Sequence, residues 1–129
     1  MVNQDAPIAI VEDNVPIRKL FSTVLKKAGF KTVEFSNAED AYNGLKETEV
    51  STVLLDILLP DKNGTDLIED LRAIKQLSEV PIIAVTGFAQ TSDQQKFMSL
   101  GFDGYIAKPI NTGSFVNEIN DIRSNKFEN

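Results

Sequence analysis

The chain has 129 residues, 42% of them apolar and 25% charged, the size and composition of one ordinary globular domain, which excludes a disordered or collagen-like polymer. With no cysteine and no histidine, it cannot form disulfides, thiolate or imidazole metal sites, Ser-His or Cys-His nucleophile pairs, or a phosphohistidine of its own. The net charge of −6 comes without a Lys/Arg cluster, so direct nucleic-acid or anionic-membrane binding lacks electrostatic support, and any metal must be a hard ion on oxygen ligands.

Short β-rich apolar runs alternate five times with stretches of helical period. Ile8–Val11 reads as the first strand. The helix after it, about Val15–Ala28, sets Ile17, Leu20, Phe21, Val24 and Leu25 on one stripe and stops at Gly29 in the left-handed region. Thr32–Phe35 is the second strand. Ser36-Asn37-Ala38-Glu39 reads as a capping box opening a helix with Ala38, Ala41, Tyr42 and Leu45 inward. The third strand, Thr52–Leu55, leads to a helix from near Thr65 to Leu77 carrying Leu67, Ile68, Leu71, Ile74 and Leu77, before Pro81 reopens the chain. Ile82–Val85 is the fourth strand. Its helix begins at a second box, Thr91 to Gln94, with an apolar face of only Phe97, Met98 and Leu100 before Gly101. The fifth strand is Tyr105–Ala107, and the last helix turns Phe115, Val116, Ile119 and Ile122 inward before fraying over residues 125–129.

Continuously apolar strands separated by helices predict an α/β fold, a parallel sheet covered on both faces. No linker, repeat or low-complexity stretch interrupts the array, so one domain is expected over residues 1–129, with its core at about 6–124. No apolar run approaches the ~18 residues of a membrane span. The first residues lack a secretion signal, and the expected location is the cytoplasm.

With right-handed crossovers, every strand of such a sheet ends on the same edge, where ligands bind. There the sequence offers Glu12 and Asp13, then Asp56, Thr86 and Lys108-Pro109. Each has an ordinary reading by itself. Asp13 and Asn14 suit a helix cap with Pro16 in the first turn, Asp56 and Thr86 suit turns, and Lys108 suits a solvated surface. Together they are three acids, a hydroxyl and an ammonium brought to one edge, and crowded acids resist ionisation unless a cation joins them. A divalent oxygen-seeking ion, Mg²⁺, resolves that conflict. Gly87, lacking a side chain, keeps the approach to Asp56 open.

Val11-Glu12-Asp13-Asn14, Leu54 through Gly64, Ala84-Val85-Thr86-Gly87 and Gly101 through Pro109, in this order and spacing, resemble the response-regulator receiver domain of the chemotaxis-regulator type. The match covers about Ala6 to Ile122. The resemblance implies a flavodoxin-like doubly wound sheet of five strands in the order 2-1-3-4-5. It implies that Asp56 accepts a phosphoryl group from a phosphohistidine of a histidine kinase or phosphotransfer protein. Glu12, Asp13, Asp56 and the backbone carbonyl of Leu58 would surround Mg²⁺, and Thr86, Gly87 and Lys108 would bind the phosphoryl group. Thr86 and Tyr105 would form the switch, and the Lys108–Pro109 bond would be cis. Readout would fall to an unidentified downstream protein, through a surface near the fourth helix, fifth strand and fifth helix where Tyr105 and Met98 are candidates. Kinase docking would use the neighbourhood of the first helix, whose Ile17 and Leu20 are expected to face the core.

Glu12 stands where the family more often has Asp, which predicts weaker metal binding. Leu58 and Phe88, two residues past the acceptor and the switch threonine, are apolar and are expected to hinder the attacking water. A haloacid-dehalogenase-type phosphatase would want a second acid at position 58, which is Leu58. A nucleotide enzyme would want a phosphate-binding glycine loop, and the seven glycines form none. The intact set Asp13, Asp56, Thr86 and Lys108 argues against a degenerate receiver serving only as an interaction surface.

Overall fold

The computed structural model describes residues 2–87 and 91–127, with the side chains of 91–93 left out. Five strands, β1 (Ile8–Val11), β2 (Thr32–Phe35), β3 (Thr52–Asp56), β4 (Ile82–Thr86) and β5 (Gly104–Ala107), form one parallel sheet in the order β2-β1-β3-β4-β5. Helices α1 (Val15–Lys27), α2 (Ala38–Leu45), α3 (Gly64–Arg72), α4 (Thr91–Leu100) and α5 (Phe115–Phe127) alternate with them. The expected doubly wound fold is the one observed. No helix among the described residues is long and apolar enough to cross a membrane.

The central strands β1, β3 and β4 are buried along their whole length, as unbroken apolar runs require when both faces are covered. On one face, Ile10, Leu54, Ile83 and Ile106 pack against Phe21 and Leu25 of α1 and Phe115 and Ile119 of α5. The Phe21 and Phe115 rings meet at 5.1 Å. On the other face, Val11, Leu55 and Ala84 pack against α2, α3 and Phe97 of α4, with Tyr105 partly buried at the margin. Each fully buried Leu or Ile in these layers contributes about 1.5–3 kcal/mol.

Several details differ from the sequence reading. Leu20 is 41% exposed, because it sits about 100° around α1 from Phe21, at the rim of the buried stripe. Met98 and Leu100 are also exposed, which leaves Phe97 as the α4 anchor, in edge-on contact with Phe102. The third helix ends at Arg72 rather than Leu77. Ile74 is extended (ψ 118°) and Lys75–Leu77 forms a separate 3-10 turn, because the Arg72 guanidinium donates to the carbonyls of Leu77 and Val80 and folds that segment back.

The cap of α2 is Asn37, whose side chain accepts from the Asp40 N–H, rather than the Ser36/Glu39 box. Helix α5 stays helical to Phe127 instead of fraying from residue 125; Arg123 on its inner side is tied to Gln4 near the N-terminus. Asn14 caps α1 through the Ile17 N–H, and Gly29 (φ 97°) ends the turn after it, both as expected.

Candidate functional site

The register of the sheet aligns Val11 with Leu55, Leu55 with Ala84 and Ala84 with Tyr105. The next residue along each strand gives a row of Glu12, Asp56, Val85 and Ile106, and one step further Thr86 aligns with Ala107, just before Lys108. Residues distant in sequence are thus delivered to one edge. Side chains alternate along a strand, so Thr86 points to the same face as Ala84 and Tyr105, opposite to Val85.

Glu12, Asp13, Asn14, Ile17, Asp56, Leu58, Thr86, Gly87 and Lys108 line an open pocket of about 390 Å³. Carboxylate oxygens of Glu12, Asp13 and Asp56 all lie within 4.8 Å of one another. Glu12 and Asp56 are buried while Asp13 is exposed at the mouth. Lys108 Nζ donates to Glu12 Oε1 at 2.6 Å and stands 3.2 Å from Asp56 Oδ1. Burial works against this ammonium, but the Glu12 hydrogen bond and the Asp56 charge outweigh it and hold the lysine above its ordinary pKa of 10.5. Lys108 is therefore a partly buried, paired residue and not the solvated lysine its type suggests by itself. The second Glu12 oxygen accepts from the Asn14 N–H at 3.1 Å, and Arg18 donates to the Glu12 carbonyl at 2.8 Å, which fixes the turn into α1.

Hard oxygen donors crowded around one ammonium fit a small divalent cation: the three carboxylates carry more negative charge than Lys108 offsets, and water can complete the octahedron Mg²⁺ demands.

The loop from Ile57 to Asn63 carries the remaining predicted group. The Leu58 N–H points to Asp56 Oδ1 at 3.3 Å, and the Leu58 side chain is 57% exposed beside the pocket. Leu58 bridges to Asn63, and the Gly64 N–H donates to the Ile57 carbonyl at 2.7 Å. A Cβ on Gly64 would lie 2.6 Å from the Asp56 carbonyl oxygen, so this position has no room for a side chain. At Gly87 a Cβ would meet no described atom within 4 Å, in keeping with an open approach.

Thr86 is buried. Tyr105 is half-buried, lining a shallow groove with Met98, Gly104, Ile122 and the glutamines of α4. The Lys108–Pro109 peptide is cis. Phe88 lies outside the described residues.

The response regulator receiver domain profile matches residues 8–120. The chain belongs to the response regulator receiver family. This receiver domain is 33% identical over 112 residues to the polar-differentiation response regulator DivK of Brucella anthropi, covering 87% of this chain and 91% of that one. Among solved structures it resembles the chemotaxis response regulator CheY4 of Vibrio cholerae, with a TM-score of 0.86, 20% identity and coverage of 91% and 98%. It also resembles the receiver domain of a sensor histidine kinase from Pseudomonas aeruginosa, with a magnesium ion coordinated in its active site cleft, at TM-score 0.80, 24% identity and coverage of 96% and 98%. As a receiver domain it is a phosphoacceptor module of two-component signalling, working with histidine kinases and downstream targets.

Sequence reasoning missed two groups. Asp61, exposed in the loop after β3, accepts from the Ala38 and Glu39 N–H groups at 2.9 and 3.0 Å. At the opposite edge of the sheet, Arg72 donates to Asp103 at 2.6 Å as well as to the carbonyls of Gly101, Leu77 and Val80. Asp103 also accepts from the Ile82 N–H and from Lys126. The only sequence hint of this network was an acid and an arginine among generally apolar neighbours.

Proposed function

We propose that Asp56 is the phosphoacceptor, served by Glu12, Asp13, Thr86, Gly87 and Lys108, and that phosphorylation is read through Thr86 and Tyr105. The observation that carries this reading is the position of Lys108 Nζ, within 3.2 Å of Asp56 in a pocket that three acids share. Magnesium fits the donor set, and we assign Asp13, Asp56, Glu12 and the Leu58 carbonyl to hold it. Bound there, it would offset repulsion between the carboxylates and the incoming phosphoryl oxygens.

The chain's own residues supply the rest. Lys108 and the Leu58 N–H both engage Oδ1 of Asp56, which orients the carboxylate and leaves its other oxygen as nucleophile. That oxygen forms a P–O bond as the P–N bond of the donor's phosphohistidine breaks, and the imidazole leaves with a proton. In this way the domain promotes its own phosphorylation, and hydrolysis of the resulting acyl phosphate makes the signal temporary. The new phosphoryl oxygens attract the Lys108 ammonium and the Thr86 hydroxyl through charge-assisted hydrogen bonds. Thr86 and Tyr105 share one face of the sheet, so inward movement of Thr86 opens space for the half-buried Tyr105 ring.

The donor is a histidine kinase or a histidine phosphotransfer protein in the cytoplasm, and the reader is another protein. Incubation with acetyl phosphate and Mg²⁺, followed by mass spectrometry, tests the assignment. One phosphate adduct is expected, absent from Asp56→Asn and absent without Mg²⁺. An unchanged adduct in Asp56→Asn rejects Asp56 as the acceptor.

A further inference from the structure

We propose that Asp61 is a positioning residue of the metal site, pinning the tip of the loop whose Leu58 carbonyl is offered to the cation by clamping it to the start of α2. The proposal rests on the metal-site reading above and extends it to a residue outside the pocket.

The loop from Ile57 to Asn63 needs such a restraint. Leu58, Pro60, Asp61, Lys62 and Asn63 are exposed, so most of it gains no packing. Its base is tied by the Leu58–Asn63 bridge and by the Gly64 to Ile57 hydrogen bond, and Leu59 is inserted into the core. Those contacts fix where the loop leaves β3 and enters α3. At the tip Lys62 pairs with Asp70 of α3, and Asp61 ties the loop to α2, its two carboxylate oxygens separately accepting the Ala38 and Glu39 N–H groups.

The first N–H groups of a helix lack partners within it, and its positive end favours an anion. Asn37 caps only the Asp40 N–H. Asp61 supplies acceptors for the preceding pair from a different loop, so one carboxylate completes α2 and locks the acceptor loop to it. These two backbone donors hold the Asp61 carboxyl below its ordinary pKa of 3.8, so the charged clamp is fully formed at neutral pH. A backbone carbonyl is a useful ligand only if its direction is set before the ion arrives, as it is for outer groups that orient metal ligands elsewhere.

Titration calorimetry with Mg²⁺ on the unphosphorylated chain, well below its melting temperature, tests this. Asp61→Ala is expected to weaken Mg²⁺ binding on the order of 10-fold. Asp61→Asn, which retains one acceptor oxygen, is expected to fall between, and gives the comparison should the alanine variant not fold. Asn37→Ala removes a cap from the same helix without touching the loop, and is expected to bind Mg²⁺ as the native chain does. Native affinity in both Asp61 variants, or an equal loss in Asn37→Ala, overturns the proposal. Native Mg²⁺ affinity in Asp13→Asn would instead overturn the metal-site reading.

Discussion

Lys108 lies closer to Glu12 than to Asp56: 2.6 Å to Glu12 Oε1 against 3.2 Å to Asp56 Oδ1. Strands β1 and β5 are separated in the sheet by β3 and β4, a gap of about three strand spacings of ~4.8 Å. A long acid and a long base reach across it and meet above Asp56. Shortening the acid in Glu12→Asp should break the contact and release Lys108 toward Asp56. The Nζ resonance of Lys108, followed by NMR, should then titrate lower than in the native chain.

The same pairing sets a pH dependence. The folded pKa of Lys108 is raised, so its contribution to stability is complete below the unfolded value of 10.5 and is lost as pH rises through the higher folded value. Denaturant melts of the native chain and Lys108→Met should differ by a constant amount from neutral pH up to about 10.5. Above it, the native chain alone should lose the contribution. A difference that changes between neutral pH and 10.5 would contradict this sign.

Gly64→Ala places a methyl group 2.6 Å from the Asp56 carbonyl oxygen. Backbone must move, at a cost of about 1–3 kcal/mol, and the movement occurs at Asp56, the proposed acceptor. Phosphorylation by acetyl phosphate should slow by more than the loss of folded protein accounts for, with chemical denaturation measured in parallel.

Leu58 stands exposed at the pocket mouth, where an apolar side chain neither orients nor activates water. Leu58→Asn adds a hydrogen-bonding group there and should shorten the lifetime of the phosphorylated chain severalfold, as followed by loss of the phosphate adduct. An unchanged lifetime would remove Leu58 from any role in the decay.

Arg72→Ala should separate structure from chemistry. It removes one of the two cations on Asp103, which keeps Lys126 and the Ile82 N–H, and leaves three carbonyls without their donor at the edge away from the pocket, a loss of about 3 kcal/mol. The phosphorylation rate of the remaining folded protein should stay near native. A rate that falls with Arg72 would couple the two edges of the sheet.

The chain's local chemistry announced much of the site. Glu12, Asp13, Asp56, Thr86 and Lys108 were legible because each follows a strand, and a parallel sheet brings all such positions to one edge. Each of these residue types is common at turns and helix starts by itself, and only their joint placement on one edge points to a shared site. Leu20, Met98 and the end of α3 were misjudged because apolar period gives the direction of a stripe but not its width, and because the Arg72 contacts that break the helix come from residues after it.

By itself the sequence determined the alternation of strands and helices, the two-sided burial of β1, β3 and β4, and the residue types at the strand ends, since these depend on local period and composition. Only the tertiary structure decided that Lys108 is held by Glu12 across two intervening strands, that Gly64 must be bare beside Asp56, and that Asp61 closes the start of α2. Those contacts join residues up to 96 positions apart, and their existence depends on angstrom-scale distances between elements that no local pattern encodes.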